Sequence, residues 1–593
     1  MQGKLIKFFK ENRLLVALIF LAFVLRIYRI SAMPPSLNWD EVSHGYNAYS
    51  LLKTGRDEWG NYLPIIFRAY GDYKLPFYVY AAAASELFFG VNAFAVRLPS
   101  VLAGVGIVVL TYYLVIELTK DSSVKLLKAN KKMLAGLSAL LVAVEPWSLF
   151  LSRAAFEANM GLFLFLLGFY FLLIVKFNTR YLVYSSIFIG LSAWTYNSYR
   201  VFAPIIVAFI LFFSRKSFYR FREEGKAKKH FTIALIVALL FFGGVLLQVF
   251  SGVGTARFQK VSLIDEGAIN QIIERRSASD FPPLISRVFY NRGTYFVSRF
   301  IINYISHYSG YFLFAQGGSH YQFSVPGWGL LYPLDAVLLI IGVIYSLKKK
   351  TRATLVLLSW FYLAPIPSSL TREAPHVLRS ITFLPSPMII TAIGFVSSLS
   401  FLSRFYKRNR PIINKTLVTA YIAVTFLFAY RYLENYFNLY KKEYSWAWQY
   451  GYEQVVDYAK ENYSDYDKIV ITKKYGEPHE FFLFYWPWPP RKYFTDPNLI
   501  RFEQSGWFWV DRFDKFYFVN DWDIPQEEWQ PFVLESGEEF FCESLSDNLL
   551  PYIEYDADRC LLITSPNNVP KGWDKLETIY YLDGDVAFEL YEN

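Results

Sequence analysis

Two cysteines and six histidines are all that the 593 residues contain. No CxxC pair and no Cys/His set with metal-ligand spacing occurs, which excludes a metal module of that type. Charge is scarce too. Asp, Glu, Lys and Arg make up 19% of the chain, against roughly 25% in ordinary soluble proteins. No P-loop, no G-x-S-x-G and no H-E-x-x-H is present, so the chemistries those motifs carry are excluded. The net charge is +10, yet no basic helix or aromatic-basic platform accompanies it, which excludes nucleic acid as a partner. There is no internal repeat and no low-complexity linker.

What is abundant is apolar and aromatic: 54% hydrophobic and 20% Phe, Trp and Tyr. These residues come in nearly uncharged blocks, the pattern of bilayer spans. Eleven spans are expected, at 14–31, 96–118, 133–150, 159–176, 181–197, 201–214, 231–250, 328–347, 353–369, 377–401 and 415–432. Lys4, Lys7, Lys10 and Arg13 precede the first block, but no small-x-small cleavage site follows it. A retained first span is therefore expected. The block 75–90 is helical and apolar, but sixteen residues rise only about 24 Å, and it carries Glu86. If it does not cross, all the basic clusters between spans fall on the side of the N-terminus, as the positive-inside rule requires. It is read as a helix lying in the outer interface.

The expected fold is thus an α-helical polytopic membrane protein of about eleven spans with an extracytoplasmic C-terminal α/β domain. Domain boundaries are expected at 1–432 and 433–593, with outer loops 32–95 and 251–327. In the C-terminal part, 445–461 reads as an amphipathic helix. Asp467 to Thr472 and Cys560 to Thr564 read as strands, and 577–591 as two strands around Asp583-Gly584-Asp585. The Trp-Pro stretch Tyr485 to Pro490 faces either the membrane or a substrate groove. Cys542 and Cys560 are either a disulfide of an extracytoplasmic domain or two buried thiols.

Chemistry is to be sought on the outer side. Asn38-Trp39-Asp40-Glu41 opens a helix that Asn38 caps and Gly55 ends. Asp40 and Glu41 there either complement the helix dipole or do chemistry at the membrane surface, where unneeded charge is disfavoured. Arg68-Ala-Tyr-Gly-Asp72-Tyr-Lys74 sets a carboxylate beside cations, as a solvated salt-bridged turn or as part of a site. Arg153 and Glu157, four apart in a short turn, either pair along a helix or bind substrate. Arg200 lies at the outer end of a span, and His376 and Arg379 are spaced to share a helical face. These cations either anchor helix ends or bind phosphate, for which Arg is the preferred residue.

The order of these features resembles the protein mannosyltransferase-like membrane glycosyltransferases of the GT-C fold, the group that also contains the aminoarabinose transferases. The matching features are Asp40-Glu41 in the first outer loop, Lys74-Leu75-Pro76 opening an interfacial helix, and Gly90…Phe94-Ala95-Val96-Arg97-Leu98-Pro99-Ser100…Gly104. Arg153 and Glu157 follow after the third span. The chain departs from the family pattern in having Glu157 where Asp is commoner, and Lys74-Leu75-Pro76 in place of a His-Pro-Pro-Leu-like motif. The resemblance implies transfer of a sugar from a polyprenyl-phosphate donor to a protein, lipid or glycan hydroxyl, with the bilayer as the setting. It implies Asp40 as base beside Glu41, with Asp72 and Glu157 as supporting acids. Lys74, Arg153, Arg200, His376 and Arg379 are then the lipid-phosphate cations. No cofactor is required, and a divalent metal is compatible with the acids. The rival classes are a transporter or flippase of polyprenyl-linked glycan and a glycan-binding sensor. Neither needs a carboxylate cluster in one short outer loop.

Overall fold

The computed structural model describes residues 12–71, 73–120, 122–213, 225–250, 260–405, 410–542 and 558–593. They divide into two compact units, Met1–Tyr28 with Ser100–Asn435, and Arg29–Pro99 with Tyr436–Asn593. The boundary expected after residue 432 thus falls after Asn435. The expected outer loop 32–95 belongs with the C-terminal segment rather than with the helices.

The first unit is helical. A helix lies under each expected apolar run, among them Arg13–Ile27, Lys131–Val144, Glu157–Leu173, Tyr181–Ala193, Asp335–Lys349 and Ser386–Leu402. Three helices among the described residues are long and apolar enough to cross a membrane: Ala93–Lys120, Gly225–Phe250 and Pro411–Glu443. Several expected runs are broken. Residues 133–150 divide before Pro146, and 353–369 divide between Leu363 and Ile366. The run 377–401 becomes α-helical only at Ser386, after a single 3-10 turn at Ile381–Phe383. Pro385 disfavours the α conformation at the preceding Leu384, whose ψ is 140°. His376 and Arg379 therefore do not share a helix.

Helices Asp335–Lys349 and Ser386–Leu402 touch backbone to backbone. A β-carbon added at Gly394 would stand 1.8 Å from the Leu338 carbonyl oxygen, and one at Gly342 2.0 Å from that of Ile390. Small residues at such crossings let apolar helices approach closely. Gly394→Val is expected to lower stability by about 1–3 kcal/mol or more through overpacking, read as a lower melting temperature in detergent. Gly243→Ala, where an added β-carbon meets nothing within 4 Å, is the control and is expected to melt like the parent. Equal melting of both variants would contradict the close crossing.

The second unit holds the capped helix Trp39–Thr54, ended by Gly55 in the left-handed conformation (φ 69°), and the helix Pro76–Phe89. Between them β1 (Phe67–Arg68) pairs antiparallel with β2 (Tyr73–Lys74). The C-terminal segment adds β3 (Lys468–Thr472), β4 (Ile500–Gln504), β5 (Trp507–Phe513), β6 (Phe516–Val519), β7 (Phe532–Val533), β8 (Glu539–Phe540), β9 (Cys560–Thr564), β10 (Asp574–Tyr580) and β11 (Val586–Glu592). Seven of them form one sheet in the order β10-β11-β9-β3-β6-β5-β4. In it, β3 runs parallel to both neighbours, β6 and β9.

The expected helix 445–461 is divided into Trp446–Trp448 and Tyr452–Glu461, because Gln449 (φ 55°) and Gly451 (φ 111°) leave the helical region. Cys542 and Cys560 form a disulfide. Trp488 of the Trp-Pro stretch is buried, its ring 5.5 Å from that of Phe516. The helix Trp39–Thr54 belongs to this unit because its residues pack on C-terminal ones. Tyr46 donates to the Trp488 carbonyl at 3.2 Å and the Trp39 N–H to Gln449 Oε1 at 2.9 Å. The Phe484 ring lies where a β-carbon of Gly45 would be, at 2.3 Å.

Candidate active site

The start of the capped helix separates two adjacent carboxylates. Asn38 Oδ1 accepts the Glu41 N–H at 3.0 Å, and Glu41 Oε2 accepts the Asn38 N–H at 3.2 Å, a reciprocal capping box. The same carboxylate takes a two-pronged bond from Arg97, Nε to Oε1 at 2.8 Å and Nη2 to Oε2 at 2.9 Å. Arg97 also donates to the carbonyls of Ile30, Pro34 and Ser36 at 2.9, 3.0 and 2.5 Å. Both side chains are 0% exposed. Glu41, expected as a catalytic acid, is thus buried and paired with Arg97. Adjacent helix residues point about 100° apart, so the acid that locks the helix and its neighbour face different surroundings.

Asp40 points the other way, with 33% of its side chain exposed. It accepts the Tyr70 hydroxyl at 2.5 Å and is ion-paired to the Lys74 ammonium. The β1–β2 pairing, Phe67 opposite Lys74, brings that lysine back to the helix. Burial pushes the Asp40 carboxyl up. The Lys74 charge and hydrogen bond, the Tyr70 hydrogen bond and His44 one turn along outweigh it and hold the group well below the usual carboxylate range. Tyr70 is held in a row of rings, 5.8 Å from Trp39 and 5.9 Å from Trp507. Trp507 lies over Gly71, where a β-carbon would come within 2.3 Å of the indole. Asp72 lies outside the described residues.

Sequence reasoning missed a second group of acids in this unit. Burial pushes Glu477 up to about 7, against a 2.6 Å hydrogen bond from Trp507 Nε1 and the Lys473 charge. Burial and then Asp57 push Glu58 up to about 8. Glu480 is raised by burial and by Glu58. His479 falls to about 3 through burial and then the Lys473 and Arg501 charges. The signal available was the string Glu477-Pro478-His479-Glu480 entering the apolar helix Pro478–Tyr485.

The other expected site residues lie in the first unit. Arg153 is 0% exposed and closes the end of helix Arg13–Ile27. It donates to the carbonyls of Leu25, Arg26 and Tyr28 at 2.6, 3.1 and 2.7 Å, which would otherwise be unsatisfied. These bonds give Arg153 a structural task at that helix end. Arg153 precedes the helix that Glu157 opens, so the two do not share a helical face. Arg200 donates to the Ala193 carbonyl at 3.1 Å and to Gln248 Oε1 at 2.7 Å. Arg379 bonds Thr371 Oγ1 at 3.0 Å and Glu373 Oε2 at 2.8 Å, and its N–H donates to His376 Nδ1 at 3.2 Å. The structure therefore brings together Asp40 with Lys74, and His376 with Arg379.

Residues 16–258 match the family model described as dolichyl-phosphate-mannose-protein mannosyltransferase. Among curated proteins no sequence matches the chain. Among solved structures the chain is similar to ArnT from Cupriavidus metallidurans bound to undecaprenyl phosphate, with a TM-score of 0.51, 12% identity and 98% of each chain covered. It is also similar to the archaeal oligosaccharyltransferase AglB from Archaeoglobus fulgidus in complex with an inhibitory peptide and a dolichol-phosphate. That match has a TM-score of 0.46 and 14% identity over 80% of this chain, and spans only 64% of the archaeal one. The S. cerevisiae protein O-mannosyltransferase Pmt1-Pmt2 complex bound to the sugar donor matches at a TM-score of 0.29 and 18% identity, over 46% of this chain and 37% of that one. Residues 16–258 thus resemble the protein mannosyltransferase family, and the chain shares the fold of ArnT over almost its whole length.

Proposed function

We propose that the protein is a membrane glycosyltransferase that moves a sugar from a polyprenyl-phosphate carrier to a hydroxyl acceptor by single displacement. The observation that carries the reading is the half-open Asp40, paired with Lys74 and Tyr70 at the start of a locked helix. It lies within the segment that matches the mannosyltransferase family. In this reaction the acceptor oxygen attacks the anomeric carbon while the carbon–oxygen bond to the phosphate breaks. The hydroxyl proton passes to Asp40, and the electron pair leaves on the lipid phosphate. Negative charge grows on that phosphate as the sugar becomes oxocarbenium-like, so cations aimed at it speed the step. Lys74, Arg200 and Arg379 are each proposed as cations for the carrier phosphate, and Glu157 as a supporting acid. The eleven-span topology, with the C-terminal domain outside, is part of the same proposal.

Lys74 gives the reading a built-in order. While it neutralises Asp40, the carboxylate is a weak base. A lysine drawn to an incoming phosphate withdraws that counter-charge, and Asp40 becomes more basic when the donor is bound. Basicity near the working pH is what general-base catalysis needs. The test is incubation of the purified protein with a panel of polyprenyl-phosphate sugars, scored by release of free polyprenyl phosphate. Binding of these donors without any release, in the presence of a hydroxyl acceptor panel, would sink the transferase reading in favour of a carrier.

A pH profile tests the role of Lys74. With Lys74 present, Asp40 stays ionised and kcat/KM should show no acid limb from it above about pH 5. Lys74→Met leaves burial as the main influence, and burial raises a carboxyl group. The variant should therefore gain an acid limb, with activity lost as pH falls and recovered as it rises. Profiles of the same shape in both proteins would mean that Lys74 does not control Asp40.

A further inference from the structure

We infer that His320, Glu373 and His376 form a divalent-cation site of the two-imidazole, one-carboxylate type, whose occupancy is linked to Arg379. One ligand-capable atom from each of the three lies within 4.8 Å of those of the other two. The donors come from two segments that the fold presses together. Gly318, two residues before His320, has the Val377 side chain where a β-carbon would be, at 2.5 Å. The loop carrying His320 is closed by the Gly318 N–H, which donates to Ser324 Oγ at 3.0 Å. Phe323 braces both imidazoles, with ring centroids 5.4 Å from His320 and 5.1 Å from His376. His376 is 6% exposed, whereas the Glu373 side chain is 56% exposed and His320 is also at the surface.

The donor set selects the ion. Two imidazoles and one carboxylate suit Zn²⁺ and its neighbours such as Co²⁺, and leave a position open for water or an anion. Ligands on a tetrahedral ion of this size stand about 3.3 Å apart. The triad closes by at most about 1.5 Å, which the two exposed side chains allow.

Arg379 stands in the way of that closure twice. Its guanidinium pairs with Glu373 at 2.8 Å, and its N–H donates to His376 Nδ1 at 3.2 Å. A cation that takes Glu373 and His376 must loosen Arg379, and an anion that draws Arg379 away must tighten the cation. Such coupling is reciprocal by thermodynamic necessity. The proposal adds to the transferase reading a cation-controlled arginine among the proposed phosphate ligands, and its test does not depend on transfer.

The experiment is Co²⁺ titration of the full-length protein in detergent after chelator treatment and dialysis, followed by d–d absorption and equilibrium dialysis. One site is expected in the parent, lost in His320→Ala, whose exposed position makes misfolding an unconvincing cause. Arg379→Gln is expected to bind about tenfold more tightly, because it removes the charged competitor for Glu373. A polyprenyl phosphate without sugar should tighten Co²⁺ in the parent and not in Arg379→Gln. The site is refuted if neither parent nor Arg379→Gln binds Co²⁺ at about 1 mM, or if binding persists unchanged in His320→Ala/His376→Ala. Equal affinity in parent and Arg379→Gln would refute the link to Arg379.

Discussion

Asp40→Asn is expected to reduce turnover by roughly 10²–10⁴, the range that general-base catalysis supplies. Asn has nearly the shape of Asp, and its side-chain oxygen can still accept from Tyr70 and Lys74. What it loses is the charge that takes up the acceptor proton. Donor affinity should survive or improve, because Lys74 no longer has a carboxylate to leave. The measurement pairs single-turnover release of polyprenyl phosphate with a binding isotherm for the sugar-free carrier and a melting curve. A variant that binds, melts like the parent and turns over at the parental rate would make Asp40 a helix-start acid only. The buried acids Glu477 and Glu480 would then be the next candidates in that unit.

The largest expected effect on stability belongs to Arg97. Its five donors reach one carboxylate and three carbonyls in an interior with no exposure. Arg97→Met leaves the buried Glu41 carboxyl without the Arg97 guanidinium. Removing one member of such a pair typically costs about 3–5 kcal/mol. The variant should melt well below the parent, and its Tyr436–Asn593 segment should become open to protease. Glu41→Gln/Arg97→Met removes both charges and should recover part of the loss, since two well-packed neutral side chains are often tolerated where half a pair is not. Parental melting of the single variant would mean that the pair does not hold the unit together.

These two neighbouring carboxylates show what could be read from the chain. The helix that carries them was legible at both ends, because Asn38 and Gly55 are residue types that the ends of helices demand. Cys560–Thr564 and the two strands around Asp583-Gly584-Asp585 were legible for similar local reasons. The different tasks of Asp40 and Glu41 were not, because they depend on Arg97 and Lys74, which lie 56 and 34 residues away. The hairpin that returns Lys74 has two residues per strand, too few for any periodicity. Strand Trp507–Phe513 was not legible because Trp507-Phe508-Trp509-Val510-Asp511-Arg512-Phe513 does not alternate apolar with polar residues. The apolar run 377–401 overstated its helix because hydropathy does not register the effect of Pro385 on Leu384.

The division of the second unit bears on how the protein is made. Its two pieces, Arg29–Pro99 and Tyr436–Asn593, are separated by 336 residues. At a synthesis rate of about 5–20 residues per second, roughly 17–67 seconds pass between completion of the first piece and the start of the second, which supplies Gln449, Phe484 and Trp488. During that interval Tyr46 and Gly45 have no Trp488 or Phe484 to pack against, so the first segment must be shielded by other means. A nascent chain halted before Tyr436 carries the Asp40–Lys74 pair and the packing of its helix on Phe67, Val79 and Ala82, but none of the C-terminal residues that cover the rest of that helix. Premature termination, or separate expression of the C-terminal part, leaves two incomplete halves of one folding unit.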